Sequence, residues 1–143
     1  MEQKMKILLV EDNEGDILLT TEALEDSGLN HDLSVARNGK EALDIVNHGI
    51  DDKAHLPDLI LLDINLPFKN GHEVLKAIKT DEKVKHIPII MLTTSSSVQD
   101  IREAYQNYAS SYICKPSELD SLTRAINVFI EYWGNTVVMP RTA

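Results

Sequence analysis

Five short apolar runs, each followed by a segment with helical periodicity, constrain what this chain can fold into more than any other feature of it. Such alternation is the pattern of a parallel sheet with helices on both faces. The runs at residues 6–10, 59–62 and 87–92 are almost continuously apolar, as strands covered on two sides must be. They are expected at the centre of the sheet. Leu33-Ser34-Val35-Ala36 and Ser111-Tyr112-Ile113-Cys114 are shorter and mix in polar residues, so they are expected at its edges. Right-handed crossovers with these two strands outermost favour the order 2-1-3-4-5, with 3-2-1-4-5 as the alternative.

The intervening segments carry helix signals. Asn13, Asn38, Ser97 and Ser117 stand at N-cap positions, and the last three are followed three residues later by Glu41, Asp100 and Asp120. Leu119, Leu122, Ile126, Phe129 and Trp133 recur at helical spacing, which predicts a fifth helix over residues 118–133 with Gly134 closing it. A length of 143 residues is one domain, expected over residues 1–134, with 135–143 as a short tail and no output domain. With 43% apolar and 26% charged residues the composition is that of a globular core and excludes intrinsic disorder.

Ligands of an open parallel sheet bind beyond the carboxyl ends of the strands, where the winding direction reverses. For the order 2-1-3-4-5 that point lies between strands one and three. Strand one ends in Glu11 and Asp12 and strand three in Asp63, so three carboxylates meet in one crevice. Packed together they repel, and a hard divalent cation such as Mg2+, which takes oxygen ligands and keeps several waters, relieves that repulsion. Strand four ends in Thr93, a hydroxyl donor, and strand five is followed by Lys115, an ammonium suited to a phosphoryl oxygen. These are the parts of a phosphoryl-transfer site. Its nucleophile would be a carboxylate, and Asp63 is the candidate, because no Cys, His or activated Ser lies at the relevant strand ends.

Charge narrows the partners. Fourteen Lys and Arg against twenty-three Asp and Glu give a formal charge of −9, which repels nucleic acid and anionic membrane surfaces. Cys114 is alone and allows no intrachain disulfide, Met1-Glu2-Gln3-Lys4 lacks the apolar stretch of a secretory signal, and no apolar run approaches about 20 residues. A cytoplasmic protein is expected. His31, His48, His55, His72 and His86 show no metal-ligand spacing and read as surface residues. Ser95 to Ser97 read as a polar loop ending in a cap, and Cys114 as a small strand residue.

Over nearly its whole length the chain resembles a response-regulator receiver domain of two-component signalling. The matching segments are Ile7-Leu8-Leu9-Val10-Glu11-Asp12-Asn13, Leu61-Leu62-Asp63-Ile64-Asn65-Leu66-Pro67, Gly71, Pro88-Ile89-Ile90-Met91-Leu92-Thr93 and Tyr112-Ile113-Cys114-Lys115-Pro116. The resemblance implies a flavodoxin-like, doubly wound (βα)5 fold and a phosphoryl group transferred from a sensor histidine kinase to Asp63. It implies that Asp12, Asp63 and the backbone carbonyl of Asn65 hold Mg2+, for which Mn2+ could substitute, with Glu11 acting through water. Thr93 and Lys115 would grip the phosphoryl oxygens, Tyr112 would swing inward when Thr93 moves, and Lys115–Pro116 would be a cis bond. The switched surface would then engage a downstream protein or a phosphotransfer partner.

A narrower resemblance, to the single-domain regulators of bacterial phytochrome kinases, lies in Asp12-Asn13-Glu14-Gly15-Asp16, in the loop Leu66-Pro67-Phe68-Lys69-Asn70-Gly71-His72-Glu73-Val74-Leu75 and in the ending Phe129-Ile130-Glu131-Tyr132-Trp133 through Val137-Val138-Met139-Pro140. It implies a homodimer through the fifth helix and the tail, with Phe129, Tyr132, Trp133 and Val138 as the residues for it. Thr94, where many receivers have Ala, and Phe68 depart from the pattern. Two other functions compete: a phosphorylation-independent binding module of receiver shape, and a small phosphatase using Asp63 as nucleophile. The second normally has another Asp where this chain has Asn65, and the intact set Glu11, Asp12, Asp63, Thr93 and Lys115 argues against the first.

Overall fold

A computed structural model describes residues 4–140; Met1-Glu2-Gln3 and the last three residues of the 135–143 tail lie outside the described residues. Five strands, β1 (Met5–Val10), β2 (His31–Ala36), β3 (Leu59–Leu62), β4 (Ile89–Thr93) and β5 (Ser111–Cys114), form one parallel sheet. Their order is 2-1-3-4-5, so the expected topology holds and the alternative order is excluded. Five helices intervene: α1 (Glu14–Asp26), α2 (Gly39–Asp51), α3 (Gly71–Lys79), α4 (Val98–Gln106) and α5 (Leu119–Ile130).

The strand pleat divides the apolar side chains between two cores. Leu8, Val10, Ile60, Leu62, Ile89 and Met91 point to one face, where Val46 of α2, Val74, Leu75 and Ile78 of α3 and Ala104 of α4 cover them. Ile7, Leu9, Leu59, Leu61, Ile90 and Leu92 point to the other, against Ile17 and Leu24 of α1 and Leu122, Ile126, Phe129 and Ile130 of α5. All four residues of β3 are buried, which explains a run with no polar interruption. Among its residues only Ala36 of β2 is buried, and none of β5 is, as edge strands require.

Asn13, Asn38 and Ser97 cap α1, α2 and α4, each accepting a hydrogen bond from the amide three residues on. Ser117 does not cap α5. That helix starts after an extended Glu118 with no side-chain cap, and Asp120 alone complements its N-terminus. Nor does Gly134 end it. Beyond Ile130 the chain widens into a π-helical turn over Glu131–Thr136, closed by the Val137 amide on the Tyr132 carbonyl at 2.9 Å. Gly134 is small for a packing reason, since a Cβ there would stand 3.1 Å from Leu29 Cδ2. After this turn Met139 is buried with the α1 and α5 side chains, while Val138 points outward and is 94% exposed.

One glycine fixes the loop after β3. A Cβ on Gly71 would lie 2.2 Å from the Asp63 carbonyl oxygen, so α3 begins against the backbone of the strand end only because that residue has no side chain. The Gly71 amide donates to the Ile64 carbonyl at 2.8 Å, and Asn70 with Glu73 completes a capping box that sequence reading missed.

Candidate functional site: a carboxylate crevice at the strand ends

Parallel pairing of Val10 with Leu62 puts the residues that follow them side by side. The Asp63 amide donates to the Val10 carbonyl at 3.0 Å and the Glu11 amide to the Ala36 carbonyl at 2.9 Å, so the sheet ladder itself holds both acids. Glu11 and Asp63 are buried, Asp12 is exposed, and one oxygen from each lies within 4.8 Å of the others. The three carboxylates predicted from strand-end position do converge.

Lys115 enters from β5. Its amide donates to the Thr93 carbonyl at 2.7 Å, and its ammonium, 4% exposed, bonds to Glu11 Oε1 and to Asp16 Oδ2 at 2.9 Å, with Asp63 Oδ2 at 3.6 Å. The Lys115–Pro116 bond is trans, contrary to expectation. A prolyl bond prefers trans by only about 0.5–1 kcal/mol, and here the backbone bond to Thr93 together with the long lysine stem brings the ammonium to the acids. Asp16 was not singled out from sequence, although its position three residues after the Asn13 cap turns it toward this crevice: its amide donates to Asn13 Oδ1 at 3.0 Å.

The electrostatics follow from burial. Desolvation, with the Asp63 charge adding to it, pushes the Glu11 carboxyl up to about 7 against the opposing hydrogen bond and charge of Lys115. Burial pulls Lys115 down, but its hydrogen bonds to Glu11 and Asp16 and the charges of Asp63 and Glu11 outweigh that and hold it above its ordinary value. The donor set fits a hard cation. Glu11, Asp12 and Asp63 offer only oxygen, and Asn65 lies two residues beyond Asp63 in a turn closed by the Leu66 amide on the Ile64 carbonyl at 3.0 Å.

The loop after β4 is tied down by one serine. Thr93 is fully buried, and its hydroxyl oxygen accepts the Ser95 amide at 3.3 Å. The Ser95 hydroxyl donates to Asp100 Oδ2, and its carbonyl accepts the Tyr112 hydroxyl at 2.9 Å and the Cys114 thiol at 3.6 Å. Tyr112 is half-buried. On its other oxygen Asp100 meets His72 Nε2 at 3.0 Å, and His72 Nδ1 lies 3.6 Å from Glu103 Oε2. His72 is thus a buried bridge between α3 and α4, not a surface residue, because Gly71 draws the start of α3 into the sheet end. Ser95 is likewise more than loop filler. Phe68 is 83% exposed with φ at +67°, and Thr94 is also exposed.

Comparison with known proteins decides the family, since the response regulator receiver domain matches residues 7–127. The chain belongs to the response-regulator receiver family. Of its relatives, the probable methanogenesis regulatory protein FilR2 of Methanothrix harundinacea is 42% identical over 127 residues, 89% of this chain and 82% of that one. The solved structure of the phosphorylated cyanobacterial phytochrome response regulator RcpA superposes with a TM-score of 0.91 at 41% identity, covering 96% of this receiver and 99% of RcpA. The Mn(2+)-bound form of response regulator Rcp1, a protein known from Synechocystis, gives 0.90 at 36% identity over 95% and 99%. The phytochrome response regulators named by the sequence resemblance are therefore among the receiver's relatives. No helix among the described residues is long and apolar enough to cross a membrane.

Proposed function

We propose that Asp63 of this response regulator accepts a phosphoryl group from a sensor histidine kinase, and that the modified chain presents a changed surface to a protein partner. The observation that carries this reading is the meeting of Glu11, Asp12, Asp63 and Lys115 at the carboxyl ends of β1 and β3. An Asp63 carboxylate oxygen bonds to phosphorus as the donor's P–N bond breaks, and the departing imidazole keeps the electron pair. Glu11, Asp12, Asp63 and the Asn65 carbonyl would hold Mg2+, or Mn2+ in its place. Once bound, the ion supplies positive charge that neutralises the phosphoryl oxygens.

The phosphoryl group adds about two negative charges and three acceptor oxygens. The Lys115 ammonium, 3.6 Å from Asp63 Oδ2, then exchanges Glu11 and Asp16 for a phosphoryl oxygen. Thr93 turns its hydroxyl toward the same group and gives up the Ser95 amide, which frees the loop that Tyr112 holds through the Ser95 carbonyl. Hydrolysis of the acyl phosphate resets the switch. RcpA favours a phytochrome kinase as donor, whereas FilR2 carries a different role, so phosphotransfer profiling against several kinases is the way to find the cognate sensor.

Acetyl phosphate with magnesium is expected to label the wild type once and Asp63→Asn not at all. Undiminished labelling of that variant would sink the assignment. We also propose a homodimer in a cytoplasmic protein, formed through α5 and the tail. Ile113, Val128, Tyr132 and Trp133 line a groove of roughly 550 Å3, Tyr132 and Trp133 meet edge-on at 5.6 Å, and Val138 of the following tail is exposed. Phe129, 5% exposed, is both a core residue and part of the groove's lining, so its part in a dimer is to shape the floor of that groove.

A further inference from the structure

A second cluster of metal-ligating side chains lies at the opposite end of the sheet from Asp63. It is built where α2 ends and the chain turns toward β3. His48 is in the last turn of α2, and Asp52, just past its end, caps a single 3-10 turn over Lys53–His55 with Oδ1 accepting the Ala54 amide at 3.3 Å. The Asp52 amide returns to the His48 carbonyl at 3.2 Å and the His55 amide to the Asp52 carbonyl at 2.9 Å. This tight reversal folds residues 48, 52 and 55 onto one side, which a search for linear metal-ligand spacing does not reveal.

The backbone under the cluster is held from two directions. Gly49 packs so closely that a Cβ would fall 2.9 Å from Leu56 Cα, which presses the last turn of α2 against the residue following the 3-10 turn. From β1, the Lys6 ammonium donates to the carbonyls of Lys53 and Ala54, both at 3.2 Å. The side chains themselves are exposed and converge: His55 Nδ1 lies 2.8 Å from Asp52 Oδ2, the two imidazole centroids are 5.8 Å apart, and one ligand atom from each of the three residues lies within 4.8 Å of the others.

We propose that His48, Asp52 and His55 form a surface site for a first-row divalent transition metal of the zinc or nickel class. Two imidazoles and one carboxylate are borderline donors that suit such ions, in contrast to the all-oxygen crevice around Asp63, which suits magnesium. Donors 2.8 Å apart, each about 2.1 Å from an ion, subtend roughly 84°, close to an octahedral edge and short of the tetrahedral angle. Water completes the coordination on the open side. Binding ties the end of α2 to the turn that feeds β3, and it does not depend on the phosphoacceptor assignment.

The full chain, with excess magnesium present to fill the carboxylate crevice, is titrated with zinc and separately with nickel by calorimetry, and nickel-induced broadening of the histidine ring protons is followed by NMR. One equivalent is expected to bind with a micromolar dissociation constant and to broaden His48 and His55 first. His48→Ala and His55→Gln should each weaken binding at least tenfold, and Asp63→Asn should leave it unchanged. Absence of binding at 1 mM metal, affinity indifferent to both histidine substitutions, or affinity lost only in Asp63→Asn would each overturn the proposal. Since His48 is exposed, His48→Ala is expected to fold, and circular dichroism checks that it does.

Discussion

Asp63 sits where two other carboxylates crowd it, and that crowding is a cost the folded chain carries in the absence of metal. Two charges about 5 Å apart repel by about 3 kcal/mol at an effective dielectric of about 20, and Lys115 returns part of this. Asp63→Asn removes one charge while its side-chain oxygen still accepts the Ile64 amide, which now reaches Asp63 Oδ1 at 2.7 Å. The variant is therefore expected to be about 1 kcal/mol more stable than wild type in urea denaturation with EDTA. Added magnesium should stabilise the wild type more than the variant and close that gap. Equal stability under both conditions would mean that Lys115 already cancels the repulsion. Phe68 stores cost of another kind. A bulky residue with φ at +67° pays about 1–2 kcal/mol that Asn largely avoids, and its exposed ring gives nothing back to the core. Phe68→Asn should raise the unfolding free energy by about 1 kcal/mol in the same assay. Glu11, Asp12, Asp63 and Lys115 were legible in the sequence because each lies within two residues of a strand's end, and strand order fixes where strand ends meet. Asp16 was not, because it reaches the crevice through the pitch of the first turn of α1.

Contacts between elements explain what the sequence concealed. Strands, their order and three of the helix caps follow from local pattern, since burial on both faces of a central strand leaves no room for polar residues. The tie from α3 through α4 to β5 follows from no local pattern: His72, Asp100, Ser95 and Tyr112 meet only once α3 is drawn in by Gly71 and the loop after β4 has folded over the sheet end. The same holds for the π-helical turn after α5, where Gly134 packs against Leu29, a residue distant in sequence. Asp100 makes the tie measurable. The Ser95 hydroxyl, then the His72 imidazole, hold its carboxyl below the usual 3.8 against some desolvation. A carboxylate lowered on folding stabilises the fold above its unfolded value, and that contribution disappears as pH falls through the lowered one. Asp100→Asn is therefore expected to cost about 1 kcal/mol at pH 7, a modest figure because the group is partly exposed, and the difference from wild type should shrink as pH falls below 3.8. A constant difference across that range, read from denaturant midpoints, would assign the loss to packing instead of charge.

On the scale of the molecule the tail beyond α5 has two faces with separable roles. Met139 is buried against the α1 and α5 core, whereas its neighbour Val138 is 94% exposed, and Val128, Tyr132 and Trp133 line an apolar groove on α5 and the turn that follows it. Truncation after Gly134 would remove both and could not tell a folding effect from an association effect. Single substitutions can. Met139→Ala leaves a cavity and is expected to cost about 2–3 kcal/mol in stability while self-association persists under native conditions. Val138→Asp changes an exposed side chain and should alter stability by less than about 0.5 kcal/mol, yet it replaces an exposed apolar residue of the tail with a charge and, if the tail is in the interface, should shift sedimentation to the monomer. Salt gives an independent check. Each copy carries a formal charge of −9, so two copies repel, and an apolar contact between them should tighten as added salt screens that repulsion, whereas an interface held by ion pairs would loosen. A Val138→Asp chain that sediments as wild type does at every salt concentration would remove α5 and the tail from the interface.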